Sequence, residues 1–353
     1  MSYRTLEEEI KVLELGLPPM EGDDFIGGKL DPQEASLVLV PVPWEATVSF
    51  GQGTANAPDA MRISSHQLDV ENFHYIKPYV AGIAMLKTDK HLLKLSHKAR
   101  KKALKVIEAL EEGKTNKKAL KFVNEASATL NSSVYQKSFE QIQKGKFVAV
   151  VGGDHSSPLG LIKALNDTQA EPFGILHVDA HHDLREAYEG FTYSHASIFY
   201  NVLNECKNVS KLIQIGIRDY SKEESQRMIN LGDKGDCLYD TAMQAQIATG
   251  KSLEEVFTPY IEQLPKNVYI SIDIDGLEPL NCPNTGTPVP GGLRYGELEH
   301  LIFMVVKSGR KIIGFDLVEV GDSKNGWDAN VGSRVLYNLC GALLASQGKI
   351  EYR

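Results

Sequence analysis

Apolar runs rich in β-branched residues recur along the chain, and each is followed by a longer segment that mixes apolar and polar residues. Within these runs the apolar residues are continuous and do not alternate with polar ones. This pattern indicates strands that are buried on both faces, and therefore a parallel sheet. Seven runs are predicted as strands: 36–42, 79–86, 147–153, 173–179, 211–217, 267–273 and 311–320.

The segments between these runs have the hydrophobic period of amphipathic helices. Strands that alternate with helices predict an α/β fold of three layers, α/β/α, with a mostly parallel, doubly wound sheet of about eight strands. Helices are predicted at 58–68, 155–166, 195–205, 222–231, 252–264, 294–308 and 328–347.

Residues 92–145 depart from this alternation, because they are rich in lysine, have a helical pattern and contain no predicted strand. We interpret them as a helical elaboration of a single domain that spans 36–353, since no Gly-, Pro- or Ser-rich linker flanks them. A separate helical domain is the alternative. Residues 1–35 are predicted to form a partly extended N-terminal arm.

The composition is that of an ordinary soluble globular protein, with 42% hydrophobic and 24% charged residues in a chain of 353. The net charge of −8 and the interspersed charges give no indication of a nucleic-acid partner. No apolar run approaches the roughly 20 residues that span a bilayer, and the N-terminus lacks the apolar segment of a secretory signal. The four cysteines are scattered without metal-binding spacing. These features predict a cytoplasmic protein that binds neither nucleic acid nor membrane.

Four of the predicted strands end in acidic residues or histidines. In an open parallel sheet ligands bind at the carboxyl ends of the strands, so we expect these side chains to meet. A single acidic residue at a strand end is often a helix cap, but four such ends are not explained in that way. The four ends are GGDHS at 152–156, DAHHD at 179–183, DID at 273–275 and Glu319.

These motifs have the composition of a metal centre. In extended chain alternate residues share a face, so Asp179, His181 and Asp183 are predicted to point together. Buried carboxylates repel one another and need a compensating charge, and two divalent cations would balance the four aspartates. Carboxylate and imidazole ligands without thiolate suit Mn²⁺ or a similar ion better than a structural zinc. The predicted metal ligands are His155, Asp179, His181, Asp183, Asp273 and Asp275.

Two divalent ions a few ångströms apart can bring the pKa of a shared water molecule close to neutrality, which indicates a hydrolase. The other histidines of the DAHHD region are given structural interpretations. His177 is predicted to be a satisfied core histidine, and His182 is predicted to point away from the metal ligands.

In order and spacing, GGDHS, DAHHD and SIDIDGLEP resemble the ureohydrolases, the family of arginase, agmatinase, formimidoylglutamase and guanidine hydrolase. The similarity also includes GQGTANAPDAMR, TGTPVPGGL and DLVEV, and it extends from residue 36 to the end. The resemblance implies an arginase-like fold and a small guanidino substrate from which urea is released. It further implies two metal ions, Mn²⁺ in most members and Ni²⁺ in guanidine hydrolases, and a homo-oligomer that is a trimer or a hexamer.

Catalytic roles also follow from the resemblance. His195 in YSHAS matches the histidine that passes protons to the leaving group, and Glu319 in DLVEV matches the carboxylate that pairs with the guanidinium. Asp183 is counted with them as a catalytic residue as well as a metal ligand. Metal-dependent deacetylases are similar in fold but have the ligands of only one metal ion. The ligands of a second ion, which are present here, argue against that class.

The sequence leaves the substrate open. Arg185 stands where arginases have an asparagine, which disfavours arginine, and it would repel the ammonium of agmatine if it pointed inward. The aromatic residues Trp44, Tyr188, Phe191 and Tyr193 either wall a tight pocket for free guanidine or pack in the core. We predict an agmatinase-like enzyme or one that acts on free guanidine. The alternatives are a formimidoylglutamase, a guanidinobutyrase-type amidine hydrolase, and an inactive regulatory or scaffold protein.

Overall fold

The computed structural model describes residues 3–20 and 22–353 and is organised around one sheet of eight strands. In chain order the strands are β1 Leu37–Pro41, β2 Ile83–Met85, β3 Phe147–Val151, β4 Phe173–Val178, β5 Val209–Ile217, β6 Gly235–Tyr239, β7 Asn267–Asp273 and β8 Lys311–Val318. Across the sheet they lie in the order β2-β1-β3-β8-β7-β4-β5-β6, and every adjacent pair is parallel.

Helices cover both faces of this sheet. They are α1 Leu6–Glu14, α2 Ala57–Ser64, α3 Lys90–Glu111, α4 Lys117–Gln143, α5 Leu159–Thr168, α6 Ile198–Glu205, α7 Lys222–Asn230, α8 Asp240–Ala248, α9 Leu253–Ile261, α10 Tyr295–Lys307 and α11 Trp327–Ser346. Successive residues of one strand belong to different cores: Leu176 packs with α10 and α11, whereas Ile175 packs with α4 and α5. Both faces of the strands are therefore apolar, and the predicted three-layer α/β fold is confirmed.

The pattern of the sequence predicts neither β6 nor α8. β6 pairs only with β5, at the edge of the sheet, and most of its residues are half-buried. An edge strand does not need the continuous apolar run of a central strand, so its sequence, GDCLY, gives little signal. The predicted strand at 79–86 shortens to β2, because Pro78–Ala81 form a 3₁₀ turn that Pro78 begins without a backbone N–H.

The lysine-rich segment forms the antiparallel pair α3 and α4 and contains no strand. The N-terminal segment includes a helix, α1, whose capping box joins Thr5 and Glu8. The spacing of those two residues was the available signal for this helix. The division into an arm at 1–35 and one domain at 36–353 stays a prediction. In the part of the chain that is described, no helix is long and apolar enough to cross a membrane.

Gly153, just after β3, lies in close contact with the chain at Trp44. A Cβ at Gly153 would lie 1.8 Å from the Trp44 carbonyl oxygen, and the Gly153 N–H donates to the Val42 carbonyl at 2.9 Å. The Gly153→Ala variant is therefore expected to lower the free energy of unfolding by about 3 kcal/mol or more, at the upper end of overpacking penalties. Urea denaturation measures this change. The control is Gly296→Ala in α10, where a Cβ would meet no atom within 4 Å. An unchanged midpoint for Gly153→Ala would contradict the close packing.

Candidate active site

The strands β3, β8, β7 and β4 are consecutive in space, and their carboxyl ends bring the predicted site residues together along the carboxyl-terminal end of the sheet. A cavity of about 140 Å³ opens at this end. Six of the predicted residues line it: His155, His181, Asp183, His195, Asp273 and Glu319. Asp179 and Asp275 lie beneath them and are buried.

The first group of side chains surrounds the His155 ring. His155 Nδ1 lies 3.1 Å from Asp179 Oδ2, 3.0 Å from Asp183 Oδ2 and 3.2 Å from Asp273 Oδ2. All four side chains are buried. Three carboxylates and one imidazole thus converge on a single point.

The second group surrounds the His181 ring. His181 Nδ1 lies 3.3 Å from Asp179 Oδ1 and 3.2 Å from Asp275 Oδ2. The backbone N–H groups of Ala180 and Asp275 donate to the neighbouring carboxylates and hold them in place. Asp179 contributes one oxygen to each group and therefore joins the two.

The arrangement of DAHHD does not follow the alternation of an extended strand. β4 ends at Val178, and Asp183 has a φ of +53°, in the left-handed region. The prediction that Asp183 shares a face of an extended strand with Asp179 is therefore wrong. A turn instead brings the Asp183 carboxylate back beside Asp179. Glu319 also has a left-handed backbone, with a φ of +58°. Such conformations are unfavourable for residues other than glycine and concentrate at functional sites.

The His155 group has the hydrogen-bonding pattern of a cation site. The Ser271 hydroxyl donates its one proton to Asp316 Oδ1 at 2.9 Å, so its oxygen accepts from His155 Nε2–H at 3.1 Å. His155 Nδ1 then carries a lone pair, and among the described residues it has no hydrogen-bond partner. With the ring neutral, this lone pair and three carboxylate oxygens converge. Burial opposes protonation of His155, but the three carboxylates raise its pKa well above the ordinary value, so in the absence of a cation a proton occupies the place that a cation could fill. An octahedral ion with bonds of about 2.1 Å holds adjacent ligand atoms about 3.0 Å apart, which is the spacing found here. The residues fit a divalent cation.

The pKa values of the cluster show how crowded the negative charge is. Burial and the Asp179 carboxylate raise the pKa of Asp183 to about 7. Burial, followed by Asp275 and Asp179, raises the pKa of Asp273 well above its ordinary value. Asp179 is the exception: burial opposes ionisation, but His177 and His155 hold its pKa well below the usual range. Bound cations would favour the ionised form of every carboxylate here.

A row of polar residues underlies the cluster, and only His177 among them was singled out from the sequence. Gln214, His177, Ser271 and Asp316 lie side by side on β5, β4, β7 and β8. Each is an isolated polar residue in an apolar strand, which was the signal that could have revealed it. His177 is fully buried with both ring nitrogens hydrogen-bonded, as expected for a satisfied core histidine, and its Nε2 lies 2.8 Å from Asp179 Oδ2.

His195 begins the 3₁₀ turn His195–Ser197 and is half-buried in the cavity wall. Its Nδ1 lies 3.3 Å from the Thr47 hydroxyl, and its ring packs edge-on against Tyr188 with the ring centres 5.6 Å apart. Burial, and then the nearby His181 and His155, lower the pKa of His195 to about 3. The ring is therefore neutral at pH 7.

Glu319 has one engaged and one free carboxylate oxygen. Oε1 accepts the backbone N–H of His155 at 3.0 Å, whereas Oε2 is buried without a hydrogen-bond partner among the described residues. Burial and the Asp154 carboxylate raise the pKa of Glu319 well above its usual range. A planar cation in the cavity could donate hydrogen bonds to this carboxylate and favour its ionised form.

Arg185 lines the cavity, but its charge is compensated. Its Nε lies 3.2 Å from Oε2 of the buried Glu224, and its guanidinium lies over the Tyr188 ring, 5.0 Å from the ring centre. Of the four aromatic residues considered for the wall, only Tyr188 lines the cavity. The other three belong to the core or pack against it: Trp44, Phe191 and Tyr193. The lining residues missed by the sequence analysis include Phe50, Asp219, Tyr220, Glu224 and Thr287.

The sequence model of the Arginase family matches residues 35–341. The chain belongs to the arginase family. The predicted family is thus confirmed, and this arginase-family protein is a metal-dependent hydrolase of C–N bonds. It is 30% identical to an N(1)-aminopropylagmatine ureohydrolase of Thermococcus kodakarensis, over 89% of this chain and 93% of the relative. It is 28% identical to the protein of the same name from Thermus thermophilus, over 88% and 90% of the two chains.

The arginase-family chain is also similar in structure to solved members. Proclavaminate amidino hydrolase from Streptomyces clavuligerus superposes with a TM-score of 0.70 at 20% identity, over 94% of this chain and 99% of that one. At this identity the likeness concerns the fold, and it confirms the arginase-like architecture.

Proposed function

We propose that this protein uses two divalent metal ions to hydrolyse an agmatine-type guanidino compound to urea and an amine. The observation that carries the proposal is the pair of side-chain groups that share Asp179 at the floor of the cavity. One ion would be held by the group around His155, and the other by the group around His181. Bound there, the ions would lower the pKa of a water molecule enough for it to act as a nucleophile near neutral pH.

The metal proposal rests on the donor set. The ligands offer only carboxylate oxygens and imidazole nitrogens, which suit Mn²⁺ first, with Ni²⁺ as the alternative. The four cysteines are not part of either group. Two divalent ions would balance the charges of the four aspartates, Asp179, Asp183, Asp273 and Asp275.

The remaining site residues would act on the substrate. The free oxygen of Glu319 would pair with the guanidinium and place its carbon above the floor of the cavity. When water adds to that carbon and the C–N bond breaks, the departing amine needs a proton. His195, neutral and held by Thr47, would accept the proton released by the water and pass it to the amine. Asp183 would orient the nucleophile in addition to holding an ion.

The charge of the cavity favours a substrate with a cationic tail. Asp219 and Glu224 line the cavity together with Arg185; Glu224 compensates Arg185, and the exposed Asp219 carboxylate leaves the wall with a negative charge. The relatives from Thermococcus and Thermus are named for N(1)-aminopropylagmatine, a polyamine derivative of agmatine. Of the four aromatic residues predicted to wall a pocket for free guanidine, only Tyr188 lines the cavity, although Phe50 and Tyr220 line it as well, so free guanidine stays the alternative substrate.

A urea-release assay tests the proposal. The protein is loaded separately with Mn²⁺ and Ni²⁺ and is offered agmatine, N(1)-aminopropylagmatine, 4-guanidinobutyrate, guanidine and arginine. Agmatine and 4-guanidinobutyrate form a matched pair, because they differ in the charge of the tail. We expect the highest kcat/KM for a compound with a cationic tail and with Mn²⁺. Urea from guanidine alone would overturn the substrate proposal. Formamide from formimidoylglutamate, with no urea from any compound, would overturn the ureohydrolase proposal.

A cytoplasmic location and a homo-oligomer, trimeric or hexameric, stay predictions from the sequence. Light scattering of the metal-loaded protein measures the second. A monomeric mass would contradict it.

A further inference from the structure

A chain of hydrogen bonds leads away from Asp179 through three buried side chains. His177 Nε2 lies 2.8 Å from Asp179 Oδ2, and His177 Nδ1 lies 2.8 Å from Gln214 Nε2. Gln214 Oε1 lies 2.6 Å from His182 Nδ1, and the Tyr239 hydroxyl lies 3.3 Å from His182 Nε2. The side chains of His177, Gln214 and His182 are fully buried.

The direction of every proton in this chain is determined by Gln214. Its Nε2 also contacts the backbone carbonyl of His182 at 2.8 Å, and a carbonyl can only accept. This contact fixes which end of the amide is nitrogen. Gln214 Nε2 therefore donates to His177 Nδ1 as well, and Gln214 Oε1 accepts from His182 Nδ1–H.

The consequence for His177 is a single tautomer. Because Nδ1 accepts, the ring proton is on Nε2, where it donates to the Asp179 carboxylate. The Asp179 carboxylate can also only accept a hydrogen bond. The contacts of His177 with Asp179 and with Gln214 therefore both require the ring proton to be on Nε2. The pairing is built into the sheet, since His177 on β4 and Gln214 on β5 are register partners.

We propose that Gln214 is a positioning residue for the metal centre. It holds the His177 ring as the Nε2–H tautomer, and His177 in turn fixes the Asp179 carboxylate that both ligand groups share. Without the amide, the buried ring could adopt the other tautomer and direct a lone pair at Asp179 Oδ2, which would repel the carboxylate. The inference rests on the proposed role of Asp179 as a metal ligand, and it adds a residue that contacts neither ion nor substrate.

The first test is metal affinity. Gln214→Leu removes the amide at similar volume, and we expect the dissociation constant for Mn²⁺, measured by competition with a chelator, to rise roughly 10- to 100-fold, as for other groups that orient metal ligands. The control is Tyr239→Phe, which removes the last hydrogen bond of the chain and leaves Gln214 in place. We expect its affinity to stay within about twofold of the wild type, because the lost contact is long, at 3.3 Å, and Gln214 stays fixed by the His182 carbonyl.

A double-mutant cycle separates positioning from a general loss of stability. In His177→Gln an amide N–H replaces the ring N–H toward Asp179, and an amide has no tautomers. In that background Gln214→Leu should weaken Mn²⁺ binding much less than in the wild type. An equal loss in both backgrounds would overturn the inference, as would wild-type affinity in Gln214→Leu at a temperature where it is folded.

A second variant covers the case in which Gln214→Leu does not fold. Gln214→Glu keeps the shape but only accepts, so it should draw a proton to His177 Nδ1. The ¹⁵N resonance of that nitrogen, measured by solid-state NMR on histidine-labelled protein loaded with Zn²⁺, should move from the unprotonated to the protonated range. An unchanged resonance would overturn the inference. Wild-type protein that binds no metal would overturn the proposed function, and the wild-type His177 resonances would still test the tautomer.

Discussion

The Asp179→Asn variant is expected to lose most of its bound metal and to fall in kcat/KM by on the order of 10³-fold or more, beyond the 10- to 100-fold typical of outer-shell changes. The reason is that Asp179 places one oxygen beside His155 and the other beside His181. Removing its charge therefore weakens both groups together. Elemental analysis of the purified protein and urea release measure the two effects.

The matched control is Asp219→Asn, which makes the same chemical change on an exposed side chain of the cavity wall. The Asp219 carboxylate lies 3.9 Å from His181 Nε2 and belongs to neither ligand group. Its metal content should equal that of the wild type. Full metal content in Asp179→Asn would show that Asp179 does not join two ions.

The His195→Ala variant is expected to keep its metal and lose about 10²- to 10⁴-fold in kcat, the usual contribution of a positioned acid–base group. His195 lines the cavity but is not part of either ligand group. Steady-state kinetics with agmatine, together with metal analysis, distinguish this result from the loss of an ion. Added imidazole should restore part of the activity if the missing function is proton transfer.

The same substitution at an exposed histidine provides the comparison. His97 lies on the outer surface of α3, and His97→Ala should keep wild-type kinetics. If His195→Ala retained more than half of the wild-type kcat, His195 would have no part in proton transfer. If the variant lost its metal instead, His195 would be a metal ligand.

The sequence alone determined the layers of the fold and the edge at which the site forms. Continuous apolar runs report burial on both faces, and the carboxyl ends of parallel strands share one edge of a sheet. For that reason His155, Asp273 and Glu319 could be placed together although they are far apart in the chain. Of the missed elements, β6 lies at an edge of the sheet, α8 follows it directly, and α1 lies before the first strand, and at these places a continuous apolar run is not required.

Only the tertiary structure decided how these side chains meet. The turn that returns Asp183 to Asp179 depends on a left-handed backbone, which no spacing rule contains. The loop residue Arg185 is neutralised by Glu224 of α7, and Gln214 meets His177 through the register of β4 and β5. Periodicity in a sequence reports which positions are buried. The partner of a buried or charged group is set by strand register and side-chain direction, and these arise only when distant segments pack.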